Sequence, residues 1–131
     1  MDYPEAIEYP NVSICMPTYN RNQFKELILY NLTGFIYPDK SKLEFVICDD
    51  GTEPFFIDDE EKNVFKKLIS PIKLKYLYDS KRRSIGEKRN LLCKEASFKH
   101  IACFDSDDIY LPSYIQYSIE IMKKGKYTCV G

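Results

Sequence analysis

Two short acidic turns carry the chemically useful residues of this chain: Asp49-Asp50-Gly51-Thr52 and Asp105-Ser106-Asp107-Asp108. Each follows directly on a short apolar run, LEFVIC or HIACF. Five carboxylates gathered at two such turns repel one another unless a cation lies between them. Hard oxygen donors with no histidine nearby suit Mg2+ or Mn2+ better than Zn2+, and such ions commonly hold one or two carboxylates while substrate phosphates supply further oxygens. The one histidine, His100, sits at the far end of its apolar run and reads as structural or surface. Between the turns lie Lys81-Arg82-Arg83 and then Gly86-Glu87-Lys88-Arg89-Asn90, which opens a helical stretch. Lys62 to Lys99 holds twelve basic and three acidic residues, whereas Asp39 to Glu61 holds nine acidic residues and two lysines. A helix N-terminus with basic first turns is a ready diphosphate site, and Gly86 permits close backbone approach. Taken alone, the same run reads more readily as a solvated basic face. The two acidic turns beside it favour phosphate binding.

Those turns must be held by strands that end on them. Val12 to Met16 is a short β-prone run stopped by Pro17, and Leu43 to Cys48 is a second. Ile72 to Tyr78 alternates apolar residues with lysines, as an edge strand does, and His100 to Phe104 reads as a buried strand. Helical spacing links them. Phe24, Leu27, Ile28, Leu32 and Phe35 recur every three or four residues, and Ile57 to Ile69 has the acidic start and basic end that a helix dipole favours. Ser84 to Phe98 offers Ile85, Leu91, Leu92 and Ala96 as its inner face; a helix opening at Pro112 offers Ile115, Ile119 and Met122. Lys126 to Val130 reads as a last strand. Strand and helix alternate throughout, the pattern of an α/β, Rossmann-like doubly wound, mostly parallel sheet with helices on both faces. In such sheets ligands collect at the carboxyl ends of the strands, where these polar turns lie.

Composition narrows the classes further. The 131 residues suffice for one domain at 12–131 after a loose leader at 1–11, burying roughly two-thirds of the surface the unfolded chain exposes. A net charge of −1 gives no global field for a nucleic acid or an anionic membrane, so a phosphate partner must be met locally. The five cysteines form no CxxC pair, and Cys15, Cys48, Cys103 and Cys129 lie in apolar runs, as buried reduced thiols do. That points to a reducing, cytoplasmic setting. The acidic, proline-containing N-terminus is not a signal peptide, and no run approaches the roughly 20 apolar residues of a membrane span, which leaves peripheral membrane association open.

The segments VSICMPTYNR (12–21), FVICDDGT (45–52), IGEKRNLLCKEA (85–96) and IACFDSDDIYLPSYI (101–115) together resemble the nucleotide-binding half of a family 2 glycosyltransferase with the GT-A fold. The likeness runs in order from about Val12 to Val130. It implies that Pro17, Thr18 and Tyr19 surround base and ribose with Arg21 nearby, the Tyr19 ring offering a stacking surface. It implies that Asp50, or less directly Asp49, accepts a hydrogen bond from the base, for which uracil N3–H is suitable. Arg89 and Asn90 would line the donor side, with Lys88 assisting at the phosphates. The DxD-type motif maps to Asp105 on ribose or sugar, and to Asp107 and Asp108 on Mn2+ or Mg2+. The activity implied is transfer of a sugar from a nucleotide-sugar donor, a UDP-sugar by preference, to a carbohydrate, lipid or protein hydroxyl, with inversion. The general base and the acceptor-binding half are expected beyond Gly131, from a further domain or a partner chain.

Two other readings compete. A non-catalytic nucleotide-binding module would bind UDP with Mn2+ but release no UDP from any UDP-sugar. A Mg2+-dependent phosphatase or nucleotidyltransferase would place an aspartate nucleophile or a glycine-rich loop after the first strand, where this chain has Pro17-Thr18-Tyr19.

Overall fold

The computed structural model describes residues 9–125, with backbone only for 122–125. Four strands, β1 (Val12–Thr18), β2 (Leu43–Asp49), β3 (Lys73–Tyr78) and β4 (His100–Cys103), form one sheet in the order β3-β2-β1-β4, and every pairing is parallel. The linking helices are α1 (Lys25–Gly34), α2 (Asp59–Ile69) and α3 (Ile85–Glu95), followed by α4 (Tyr114–Gly125). The chain steps outward from β1 to β2 to β3, then crosses back to place β4 on the other side of β1. That reversal puts a switch point between β1 and β4. None of the described helices is long and apolar enough to cross a membrane.

Strand alternation divides the interior in two. Val12, Ile14 and Met16 with Leu43, Phe45 and Ile47 face α1, α2 and α4 in a large aromatic-rich core that includes Phe35, Phe55, Phe65 and Phe104. The opposite face is thin: Cys15, Val46 and Cys48 meet Leu92 of α3, with Leu77, Leu91 and Ala96 at its margin. Glu44 is buried on this thinner face, where Ser13 Oγ and Ser97 Oγ donate to it at 2.8 and 2.7 Å and Ser97 N–H at 3.0 Å. Burial pushes the Glu44 carboxyl up, but these donors and Lys75 outweigh it and hold the group below the ordinary glutamate range.

Helix starts follow local chemistry. Asp58 caps α2 by accepting from Glu61 N–H at 2.8 Å, and Ser84 caps α3 by accepting from Glu87 N–H at 3.2 Å. The strand expected to stop at Pro17 runs on to Thr18. Cys15 C=O accepts from Phe104 N–H, so Pro17, two residues on, also turns its backbone toward β4. By that level β4 has ended, and the missing N–H forfeits no ladder bond.

Other expectations need correction. The His100–Phe104 run is not a fully buried strand: Ile101 is 38% exposed and Cys103 is exposed, because α3 lies over β1 and β2 and leaves that face of β4 uncovered. Ile85, expected inside, is 54% exposed; it is the first residue of α3, and burial on that helix begins one turn later at Lys88 and continues at Leu92. The helices begin later than the patterns suggested, at Lys25, Asp59 and Tyr114. Residues 1–8 of the leader, the strand expected at 126–130, Cys129 and the Met122 side chain lie outside the described residues. Cys15, Cys48, Cys93 and Cys103 are free thiols, and burial pushes Cys15 up to about 12.

Candidate functional site

The two carboxylates that end β2 have different tasks. Asp49 is 2% exposed and accepts from Gly51 N–H (2.9 Å), Phe55 N–H (2.7 Å) and Tyr76 Oη (2.6 Å). It closes the loop after β2 and is fully engaged in doing so. Asp50, also 2% exposed, accepts from Lys88 Nζ at 3.0 Å on one oxygen and from Arg83 N–H at 2.7 Å on the other. Burial alone would push its carboxyl up; the Arg83 amide and the Lys88 ammonium together hold it below the ordinary aspartate range. Asp50 thus ties α3 and the loop before it to the end of β2.

The turn after β1 is stapled to the turn after β2. Asn20 takes the left-handed conformation (φ 53°), and its Oδ1 accepts from Thr52 N–H at 2.9 Å. Asn22 Nδ2 donates to Pro54 C=O at 3.0 Å. Tyr19 is held at the front of this staple, with the Arg82 guanidinium carbon 4.0 Å and Lys88 Nζ 5.9 Å from its ring centroid. Thr18 is 2% exposed, and its Oγ1 has no hydrogen-bond partner among the described residues, an open polar group at the base of the site.

The acidic turn after β4 is pinned from α1. Buried Asn31 donates from Nδ2 to Asp108 C=O (2.8 Å) and accepts Tyr110 N–H on Oδ1 (2.9 Å), while Asp105 N–H donates to Tyr110 Oη (2.6 Å). Asp105, Asp107 and Asp108 are exposed around buried Ser106. The Asp108 carboxyl is pushed up, first by its hydrogen bond with Asp105, then by burial and by the charges of Asp105 and Asp107. Such crowding is relieved by a cation. Among the described residues no three His, Cys, Asp or Glu side chains converge closely enough to cage an ion unaided. The exposed carboxylates of the turn are hard oxygen donors, a type of which Mg2+ and Mn2+ commonly take one or two while a ligand's oxygens complete the shell.

Seven of the residues singled out from the sequence fall into two groups. Thr18, Tyr19, Asp50 and Lys88 gather at the ends of β1 and β2. Pro17, Arg89 and Asp105 line a cavity of about 120 Å3 together with Leu92, Cys93 and Cys103. Arg21 stands apart, its guanidinium 5.8 Å from the Phe24 ring. Gly86 faces open space, where an added Cβ would meet nothing nearer than Ser84 Oγ at 4.0 Å. Sequence reasoning missed Asn31 and Tyr76, and it named Arg82 only as part of a basic run, without its place against Tyr19. Asn31 had a usable signal: it is a polar residue on the same helical stripe as Ile28 and Leu32.

The fold is shared with known proteins. The mannosyltransferase PcManGT of Pyrobaculum calidifontis, solved with GDP-Man and Mn2+, superposes with a TM-score of 0.74 at 20% identity, over 88% of this chain and 33% of that one. S. aureus TarS 1-349 in complex with UDP-GlcNAc gives 0.69 at 24% identity, over 87% and 31%. At these identities the likeness is one of fold. In sequence, the chain is 30% identical over 114 residues to the UDP-Glc:alpha-D-GlcNAc-diphosphoundecaprenol beta-1,3-glucosyltransferase WfgD of Escherichia coli, covering 86% of this chain and 41% of WfgD. An uncharacterized glycosyltransferase of Rickettsia bellii is 22% identical over 116 residues, 88% of this chain and 16% of that protein. This chain thus spans less than half the length of the relatives it matches. The family model for Glycosyl transferase family 2 matches residues 13–131, from the second residue of β1 onward, so the strand ends that carry Tyr19, Asp50 and the acidic turn are those of a chain that belongs to glycosyl transferase family 2.

Proposed function

We propose that this chain supplies the donor side of a sugar transfer from a nucleoside diphosphate, a UDP-sugar in our reading, to a carbohydrate, lipid or protein hydroxyl with inversion. One observation carries the reading: the Tyr19 ring, the Asp50–Lys88 pair and the acidic turn at 105–108 lie at the carboxyl ends of the three neighbouring strands β1, β2 and β4, beside the switch point. Tyr19 offers a face for the base. Asp50 has one oxygen engaged by the Lys88 ammonium and the other by the Arg83 backbone amide, yet each keeps a lone pair, and the one facing Lys88 can accept an imide N–H once that side chain shifts. Lys88 and Arg89 stand beside the diphosphate, and Asp105 beside ribose or sugar. Mn2+ or Mg2+ held by Asp107 and Asp108 would neutralise the charge that develops on the leaving diphosphate. Attack by a hydroxyl also needs a general base. In our reading that base comes from beyond Gly131 or from a partner chain. In our reading the chain works in a reducing, cytoplasmic compartment, the setting in which cysteines without a CxxC pair are kept as thiols.

Calorimetry with UDP, GDP and dTDP, each with and without Mn2+, tests the proposal. UDP is expected to bind more tightly with Mn2+, and Asp107→Asn to remove most of that gain. Equal weak heats for all three nucleotides, or an Asp107→Asn protein indistinguishable from wild type, would sink it.

A further inference from the structure

Arg82 lies between two anchored neighbours. Lys81 N–H donates to Asp79 Oδ1 at 3.0 Å, Arg83 N–H donates to Asp50 Oδ2 at 2.7 Å, and the Arg83 guanidinium reaches Asp79 at 3.3 Å. The cap of α3 follows at once, at Ser84. The backbone on both sides of Arg82 is therefore fixed to the ends of β2 and β3, and its side chain is delivered to one place. There the guanidinium carbon sits 4.0 Å from the Tyr19 ring centroid. Among the described residues Arg82 forms no ion pair, since Asp79 is taken by Arg83 and Asp50 by Lys88. With Lys88 5.9 Å from the same ring, one phenol faces two cations.

We infer that Tyr19 and Arg82 are the two plates of a nucleobase clamp, and that the base of the donor enters between the phenol ring and the guanidinium. The inference rests on the donor-site reading above. A base is roughly as thick as one stacking distance, about 3.5 Å between carbon layers. Arg82 is exposed and its side chain is long, so the guanidinium can withdraw by that much while its anchored backbone stays in place. Opening the plates breaks one exposed cation–π contact, and closing them on a base makes two stacks, one aromatic and one with a cation. Because every base has a π face, the clamp contributes affinity without reading the base edge, leaving discrimination to Asp50.

The test compares wild type, Arg82→Ala and Arg82→Lys for binding of UDP and of uridine, at two salt concentrations. Unchanged thermal midpoints serve as the folding control. The clamp predicts that Arg82→Ala weakens both ligands by a similar factor, about three- to ten-fold, since stacking does not need the phosphates. Arg82→Lys, which keeps the charge and loses the plane, should fall close to Arg82→Ala. Loss for UDP alone, rescued by Lys and erased by salt, would make Arg82 a phosphate contact and overturn the clamp. Tighter binding on Arg82→Ala would make it a competing cover and overturn it too. Wild-type binding that Arg82→Ala leaves unchanged sinks the clamp but spares the donor site, whereas a wild type that binds no nucleotide sinks both.

Discussion

Carboxylates in this chain act in three ways, and partners drawn from distant sequence decide which. Glu44 and Asp49 are structural, Asp50 joins structure to the site, and Asp105, Asp107 and Asp108 stay exposed. The two buried ones held below their ordinary range, Glu44 and Asp50, link stability to pH. A carboxyl whose folded value lies below its unfolded one stabilises fully above about pH 5 and loses that contribution as the pH falls through and below the ordinary range. The thermal midpoint should therefore drop on acidification below that point. Glu44→Gln should start lower, by about 1–3 kcal/mol for poorly matched buried donors, and fall less steeply. Parallel acid profiles for the two proteins would count against the assignment. Residue type alone does not separate the adjacent Asp49 and Asp50: besides the local Gly51 and Phe55 amides on Asp49, their partners are Tyr76 on one and Arg83 and Lys88 on the other, which lie 27 to 38 residues away. For the same reason Arg82 looked like one cation in a basic run.

Elements were more legible than their coverage. The order of strands and helices follows from the apolar periods, and the caps at Asp58 and Ser84 sit where their side chains compete best for the first free N–H groups. What strand composition does not encode is which neighbour covers each face, so HIACF looked buried although Ile101 and Cys103 face outward beside α3. Turns show the converse, with a local sequence whose constraint is nonlocal. At Gly51 an added Cβ would lie 2.7 Å from Asn20 Oδ1, 2.9 Å from Asn20 N and 3.0 Å from Glu53 C=O. Two of those atoms are backbone, so the clash cannot be relieved by a side chain swinging away. Gly51→Ala is expected to cost about 1–3 kcal/mol in denaturant unfolding and to weaken nucleotide binding through the displaced Tyr19 turn. An Ala variant of unchanged stability would show that the turns after β1 and β2 move independently.

At the scale of the whole molecule, the two faces of the sheet are unequally filled. The α1, α2 and α4 side holds the phenylalanines, while α3 rests on Cys15, Val46, Cys48 and Leu92. Amide protection tracks such differences, because elements with few buried contacts open without global unfolding. Hydrogen exchange should thus find α3 exchanging before β1, β2 and α1, with Lys88–Asp50 as its main anchor at the site end. Since α3 carries Lys88 and Arg89, ligand binding should slow exchange there far more than in the sheet, and α3 protection equal to that of β2 without ligand would contradict the picture. The thin face then makes the donor helix a reporter: its rate of opening measures, from the protein side alone, how much of the site has been filled.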